Sequence, residues 1–579
     1  MELNVFVLLL AVSYYVVARV VDCRTLPGDV GWPSREDWMN LNASVHGRLF
    51  SIVPLATVCH GANFDPEQCK ALRENWSSYL THAETAGSVI PPYYQNQTCN
   101  PFTTRSSRCE MGNHVSYAIR AGSAKDIASG IKFARDRNVR LVIRNTGHDF
   151  LGKSIGRGGL AIWTRDLNKA EFIPSYRSAL YEGPAMKLGA GIRAFEAVEA
   201  AHSNKVRLIT GYCSTVGIVG GFLQGGGSGP LSSVYGLAAD QVLEYEVVTA
   251  SGEVVTASPF EHKELYWALS GGGGGTFGIV VSATVRVFED GRMGGAKLRF
   301  SRNNVESDTV YDLLGSLLDL SPMLAEAGLQ FAFQITPAAF EITPISAPGL
   351  SSDALSKLLE PFVSRLDQEG IDYSYQVSTL PDYKSFYEIY LGPTPEGPYR
   401  ANVQVGSRFV PRTSLETHRT KIIEATRNIT ENTPVYIVFH VANVTQTSVK
   451  KPVSDNAVLP QWRQTIIHAM AVLAWDFEIA QTEMLSKQAE LTESVIPQLR
   501  AALPPDSGTY LNEAEVGIST WKEDFFGDNY EKLRQVKYKY DPEDLFYAST
   551  AVGSDAWWVA SDGRLCRANP SNVLRFREL

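Results

Sequence analysis

Three groups of residues in this sequence have types and spacings suited to chemistry. The first is Gly211–Gly236, GYCSTVGIVGGFLQGGGSGPLSSVYG, with nine glycines in 26 positions and a cysteine, Cys213, near its start. Glycine runs let backbone N–H groups approach a ligand, phosphates above all, that side chains would obstruct. Val216, Ile218 and Val219 inside the run, and the β-type segment Gln241–Ala250 behind it, mark buried structure rather than a flexible linker. No GKS or GKT follows, and no strand–GxGxxG–helix unit with a suitably placed acidic residue, so the stretch is neither a P-loop nor a dinucleotide fingerprint. The second group is Asn145, Thr146, Gly147 and His148, a tight turn directly after the strand-like RLVIR. Loops at strand ends are where α/β sheets bind ligands. A lone histidine is ordinarily a structural hydrogen-bonding residue, but a second glycine-rich loop in one chain favours a functional one. The third is Tyr510 and Asn512 in GTYLNEAE, two residues apart in a stretch that reads as extended and therefore puts both side chains on one side.

The elements that must hold these groups follow from periodicity. From Tyr117 the chain reads strand, helix (SAKDIASGIKFARDRN, with Ile127, Ile131 and Ala134 on one face) and strand. A helix is expected at Ile192–Ser203, a hairpin about Ser251–Gly252, and a third glycine cluster, Gly271–Gly275, leads into the alternating strand TFGIVVSATVRVF. Between about residues 290 and 505, strand-like segments such as VYIVFHVANV and HAMAVLAW alternate with amphipathic helices (Asn304–Glu326, Ser352–Glu369, Leu415–Asn432, Glu478–Ala502). That pattern predicts an antiparallel sheet backed by helices, with a free face able to roof a ligand.

At 579 residues, 44% hydrophobic and 20% charged, the chain is an ordinary globular protein of several folding units, and a net charge of −9 without basic runs gives no support for a nucleic-acid partner. A small-molecule substrate fits better. An apolar run, Val5–Val17, has signal-peptide length, with Ala18 as a cleavage point, and no later segment is long enough for a stable membrane span. Sequons at Asn42, Asn75, Asn96, Asn428 and Asn443 are compatible with the secretory route. Six of the seven cysteines can form three disulfides, one pairing being Cys59–Cys69, Cys99–Cys109 and Cys23–Cys566. The seventh, Cys213, sits in the glycine-rich stretch, and no metal-ligand spacing accompanies it.

RNTGHDF (Arg144–Phe150), GYCSTVG (Gly211–Gly217), GGGGGTFGIV (Gly271–Val280), YLNEA (Tyr510–Ala514) and KYDPEDLFY (Lys539–Tyr547) occur in that order. Together they resemble the secreted flavoproteins of the vanillyl-alcohol-oxidase superfamily, especially berberine-bridge-enzyme-like and fungal isoamyl-alcohol-oxidase-like enzymes, over essentially the whole chain. The resemblance implies an α+β protein with a two-lobed FAD-binding domain of the PCMH type and an inserted substrate domain. The implied division is a signal peptide at 1–22, a disulfide-stapled segment at 23–110, the FAD-binding domain at 111–290, the substrate domain at 291–504, and a C-terminal segment at 505–579 returning to the FAD domain.

It further implies FAD attached through His148 to the flavin 8α carbon and through Cys213 to C6. The pyrophosphate loop matches Asn145, Thr146, Gly147 and Asp149, and the flavin-edge loop Thr215, Val216, Gly217, Gly220 and Gly221. The adenine side matches Gly278, Ile279 and Val280, and Asn512 reaches the flavin. Tyr510 matches a tyrosine that helps deprotonate substrate in sugar-oxidising relatives, which requires its pKa to fall from near 10; Glu513 and Glu515 are the alternatives from the berberine-bridge pattern. Ser228 stands where histidine is expected. The implied reaction is hydride transfer from a small organic substrate to flavin N5, with O2 as acceptor, in alcohol oxidation or oxidative ring closure of the kind found in fungal alkaloid biosynthesis. An oligosaccharide oxidase, a flavin dehydrogenase that avoids O2 and a non-catalytic binding protein are the rival readings.

Overall fold

In the computed structural model, which describes residues 22–568 apart from 97, 304 and 446–453, three main sheets organise the chain. The expected signal segment lies outside the described residues except for Asp22. Strands β1 (Leu49–Ser51), β2 (Tyr117–Arg120), β3 (Leu141–Arg144) and β4 (Leu160–Trp163) form the first sheet in the order β1-β2-β4-β3. β2, β4 and β3 run parallel, and the sequences LVIR and LAIW of β3 and β4 are the near-continuous apolar runs of strands covered on both faces. The crossover helix Ala124–Asp136 is capped by the Ser123 hydroxyl and buries Ile127, Ile131 and Ala134, the face that its periodicity predicts.

The second sheet contains β5 (Ala170–Arg177), β6 (Glu182–Gly189), β8 (Val242–Val248), β9 (Val254–Ala257) and β10 (Ile279–Arg286), all antiparallel, in the order β5-β6-β10-β8-β9. A short β7 (Val206–Arg207) pairs with β11 (Phe288–Glu289) beside it. The β8–β9 hairpin turns at Ser251–Gly252, where Gly252 takes φ +87°.

The third sheet is antiparallel and seven-stranded: β12 (Met293–Ser301), β13 (Gln330–Ile335), β14 (Ala339–Pro348), β15 (Tyr373–Leu380), β16 (Val403–Pro411), β17 (Tyr436–Val441) and β18 (Thr465–Ala474), in the order β15-β12-β14-β13-β17-β18-β16. Helices Ser307–Glu326, Ser352–Gln368 and Arg419–Asn432 share one core with its strands, into which Phe331, Phe333, Ile437, Phe439 and Ile467 are buried. Strand alternation then puts His440 of β17 on the opposite face, where the register pairs it with His468 of β18.

One expected helix is interrupted: Glu478–Ala502 splits into Gln481–Glu490 and Ile496–Ala501, joined by a wider turn. Pro497, at the start of the last helix, has no N–H with which to continue the α pattern. The disulfides are Cys59–Cys69, Cys99–Cys109 and Cys23–Cys566, and Cys213 is free. Asn443 is 1% exposed, so its sequon lies in the interior and cannot carry a surface glycan. Among the described residues, no helix is long and apolar enough to cross a membrane.

The C-terminal segment is fastened from inside. Lys537, on helix Tyr530–Tyr540, donates from Nζ to Thr276 O (2.8 Å), Phe546 O (2.8 Å) and Asp541 Oδ2 (2.5 Å), and Asp541 also accepts from the amides of Leu545 and Phe546. Both side chains are essentially inaccessible, so the pair fixes the end of the Gly271–Gly275 loop to the returning chain. Lys537→Met, which leaves Asp541 buried and uncompensated, is expected to cost about 3–5 kcal/mol of stability. Lys537→Met with Asp541→Leu should recover part of it; chemical denaturation measures both.

Candidate active site

The loop after β3 is shaped from beneath by Arg144. Its guanidinium is 1% exposed and donates to Ala86 O at 2.6 Å and to His82 O at 2.7 Å. Burial lowers its pKa to about 9, so it stays charged at neutral pH. Gly147 takes φ +77°, and its carbonyl accepts from the Ile90 amide at 2.9 Å. These contacts hold Asn145, Thr146 and His148 against the second glycine-rich stretch. Asn145 Nδ2 donates to Ala190 O, and its amide lies directly on two glycines. A Cβ on Gly217 would sit 2.1 Å from Asn145 Oδ1, and one on Gly220 would sit 2.8 Å from Nδ2. Thr146 Oγ1 accepts from the Gly217 amide at 3.2 Å. Asn145 Oδ1 is buried with no partner among the described residues.

Beside this seam, Thr215 Oγ1 lies 2.7 Å from His148 Nε2 and 3.6 Å from Cys213 Sγ. The hydroxyl thus stands between the two residues singled out for attachment. The His148 ring meets the edge of Tyr79 at 4.8 Å, and burial pushes its imidazole down to about 3 and the Cys213 thiol up to about 12. Both are neutral near pH 7. A histidine hydrogen-bonded through Nε2 leaves Nδ1 as its free nitrogen.

The rim is formed by Gly221 and Asn512. Gly221 is exposed, and a Cβ on it would meet nothing within 4 Å. Its carbonyl accepts from Asn512 Nδ2 at 2.9 Å, and the same Nδ2 lies 2.8 Å from Tyr510 Oη. Tyr510 and Asn512 do lie together, but not on a strand: the Glu513 amide bonds back to Tyr510 O at 2.9 Å and turns the chain, and the side-chain contact brings them together.

Some expected residues stand apart from this group. Asp149 is held by its own loop, accepting from the amides of Lys153 (2.5 Å) and Ser154 (3.1 Å). Ile279 and Val280 are buried in β10, paired with Val248 and Val247, and a Cβ on Gly278 would lie 2.4 Å from Val247, so this glycine is explained by strand packing. Val216 contributes its backbone carbonyl, which accepts from Ala194.

A cavity opens beside Tyr510, bounded by Tyr212, Ser228, His440, Trp462, His468 and Glu513 among others. Burial raises the Tyr510 phenol well above its ordinary value, with the nearby Glu513 charge adding to the effect and the Asn512 hydrogen bond opposing it. Glu513 faces the cavity with Oε2 3.3 Å from His468 Nδ1, and burial raises its carboxyl to about 7. Glu515 points elsewhere, to Arg408 at 3.4 Å, and is 3% exposed. Ser228 also lines the cavity, where Gln330 Nε2 approaches its Oγ at 3.4 Å, so the serine sets the pocket's shape. His440 and His468 were not among the expected site residues; their trace in the sequence is a histidine inside each of two otherwise apolar strands.

Comparison with known proteins agrees with this geometry. The family model described as "FAD binding domain" matches residues 115–258, and "Berberine and berberine like" matches 509–553. A VAO-type flavoprotein oxidase of Thermothelomyces thermophilus is 40% identical, over 94% of this chain and 95% of its own. The chain belongs to the VAO-type FAD-linked oxidoreductases. A bifunctional decalin synthase of Penicillium decumbens is 42% identical over 94% of this oxidoreductase and 95% of its own length. The crystal structure of a VAO-type flavoprotein from Myceliophthora thermophila superposes with a TM-score of 0.90 at 40% identity, covering 94% of this chain and all of that one. A structure of Acremonium strictum glucooligosaccharide oxidase, described with a 6-S-cysteinyl, 8α-N1-histidyl FAD, shares the fold with a TM-score of 0.63 at 20% identity, covering 76% of this chain and 91% of that one. The protein is therefore an FAD-linked oxidoreductase acting on a small molecule.

The donor set suits the cofactor. The glycine seam leaves a cradle that a Cβ would fill, Asn145 Oδ1 is an unpartnered buried acceptor, and two neutral nucleophiles flank one hydroxyl. Gly217→Ala is expected to force Asn145 out of place, lowering stability by about 1–3 kcal/mol and flavin content with it. Gly221→Ala, with open space at its Cβ, should keep the wild-type melting temperature yet hold less flavin. Calorimetry and flavin absorbance on the same samples check both.

Proposed function

We propose that this FAD-linked oxidoreductase is a bicovalent oxidase of fungal specialised metabolism, reached through the secretory pathway, that oxidises a small organic substrate at a carbon bearing a hydroxyl or amine. In this reading residues 111–290 and 505–579 hold the cofactor, 23–110 staple the first lobe and 291–504 supply the substrate sheet. Alcohol-to-carbonyl oxidation and oxidative ring closure, as on an alkaloid, begin with the same step. Three disulfides suit an oxidising compartment. The fungal relatives named as an oxidase and a decalin synthase support the setting.

The observation that carries the reading is the Thr215 hydroxyl placed between His148 and Cys213. Its bond to Nε2 leaves Nδ1 to form the histidyl bond, the same nitrogen as in the name of the Acremonium cofactor. Cys213 supplies the second tether. Asn145, Thr146, Gly147, Asp149, Thr215, Val216, Gly217, Gly220 and Gly221 would line the pyrophosphate and flavin edge, Gly278, Ile279 and Val280 the adenine side through their backbone, and Asn512 the ring. Bound there, FAD would supply the hydride acceptor, and O2 would restore it with release of H2O2. Tyr510 keeps its proton, by burial, and donates a hydrogen bond to the substrate oxygen, while Trp462 and Tyr212 exclude water.

Acid-denatured protein is expected to stay yellow, with flavin on peptides containing His148 and Cys213 by mass spectrometry. His148→Ala and Cys213→Ala should each remove one tether and keep the other. Colourless protein with a free Cys213 thiol would overturn the two-bond reading. Oxygen consumption matched by H2O2 during turnover distinguishes an oxidase from a dehydrogenase.

A further inference from the structure

Outside the cavity, three side chains from distant stretches of the chain bring metal-ligating atoms together. His202 stands in the last turn of the helix Ala194–Ser203, Asp290 directly follows β11, and Asp382 caps the helix Tyr383–Tyr390. One atom from each, an imidazole nitrogen and two carboxylate oxygens, lies within 4.8 Å of the other two. The backbone fixes both carboxylates. Asp290 Oδ1 accepts from the amides of Gly291 (2.9 Å) and Tyr383 (3.1 Å), and Asp382 Oδ1 from the amide of Ser385 (2.8 Å). Asp382 Oδ2 is left facing His202 Nδ1 at 3.9 Å, too far for a hydrogen bond. Among the described residues, no lysine or arginine lies within ion-pair distance of either aspartate: Lys384, two positions from Asp382, goes to Glu199 at 2.5 Å.

We propose that His202, Asp290 and Asp382 bind a zinc ion, which joins the two helices behind the glycine-rich stretch. Two carboxylates held this close repel each other unless a positive charge lies between them. One nitrogen with two oxygens is a donor set that zinc accepts at about 2.0–2.2 Å, whereas calcium and magnesium are bound through oxygen. A tetrahedral ion with such bonds spaces its ligands roughly 3.3–3.6 Å apart. The His202 side chain, 39% exposed, has room to close that gap. The same exposure gives the ion a route in and leaves its fourth position to water.

The place of the ion gives it a structural consequence. Helix Tyr383–Tyr390 packs against the start of the glycine-rich stretch: the Tyr383 hydroxyl lies 3.0 Å from Thr210 Oγ1, and Tyr387 Oη donates to Gly211 O at 3.4 Å. Both tyrosines are buried in one core with Val198 and Ala201 of the other helix. An ion holding Asp382 to His202 therefore seats the two phenols against the residues just before Cys213. At the same junction Lys384 reaches Glu199, an exposed ion pair worth little by itself. None of the three ligands lines the cavity beside Tyr510, so the site stands whether or not the flavin reading does.

Untagged holoenzyme freed of metal by chelation should take up one equivalent of Zn2+ in a calorimetric titration, and its melting temperature should rise as the site fills. Asp290→Asn and Asp382→Asn keep an oxygen for the amides that each aspartate accepts, and His202→Gln alters a partly exposed side chain, so all three variants are expected to fold. Each should weaken zinc binding by at least the roughly 10–100-fold that loss of a mere supporting group costs, and lose the zinc-dependent rise in melting temperature. Without metal, the two asparagine variants should melt at or above the wild-type temperature, because one of two repelling charges is gone. Flavin absorbance on the same samples keeps cofactor loss apart from metal loss. Zinc that binds all three variants as tightly as the wild type would place the ion elsewhere. A chelated wild type that takes up none would leave His202 and Asp382 as a plain ion pair. Either result overturns the proposal.

Discussion

Everything at this site depends on how closely two loops from different sheets can approach. The Asn145 side chain occupies the space where Gly217 and Gly220 would carry a Cβ, and the Thr146 hydroxyl takes the Gly217 amide. Only then does Thr215 fall within reach of His148, and only then does the Gly221 carbonyl meet Asn512 from the far end of the chain. A Cβ at either glycine would overlap the Asn145 amide and force it to move. The buried Arg144 ties the segment at His82 and Ala86 to the loop after β3, and Lys537 ties the returning C-terminal segment to Thr276.

Burial is used selectively around it. Where a charge must persist, the protein surrounds it with partners: Arg144 with carbonyls, Lys537 with three acceptors, Glu515 with a guanidinium. At His148, Cys213 and Glu513 desolvation dominates instead, keeping the imidazole and the thiol neutral and raising the carboxyl. A neutral imidazole, a neutral thiol and a carboxyl raised to about 7 follow from the same low-dielectric surroundings.

Much of this was legible one residue at a time. The glycine-rich stretch, the odd cysteine and the histidine at a strand end identify themselves by type and position, and the apolar periodicity of Ala124–Asp136 and of the hairpin at Gly252 locates local elements. The packing of Gly278 was not legible: a Cβ there would lie 2.4 Å from the Val247 side chain, a neighbour that only the sheet register supplies. Asp149 likewise serves its own turn. Tyr510 and Asn512 were paired for the wrong local reason, because a two-residue spacing on a strand and a hydrogen-bonded turn leave the same trace.

The sequence by itself determined which residues could react and which segments had to be helix, strand or glycine loop, because propensity, periodicity and steric freedom act over a few neighbours. Only the tertiary structure decided which of two glutamates faces the cavity. It also brought His440 and His468 together, since the sheet register that pairs β17 with β18 joins residues 28 apart in the chain, and a carboxyl's chemistry depends on the neighbours that folding brings to it. The FAD-linked oxidoreductase chemistry was readable as a set of parts; the distances at which those parts meet were not.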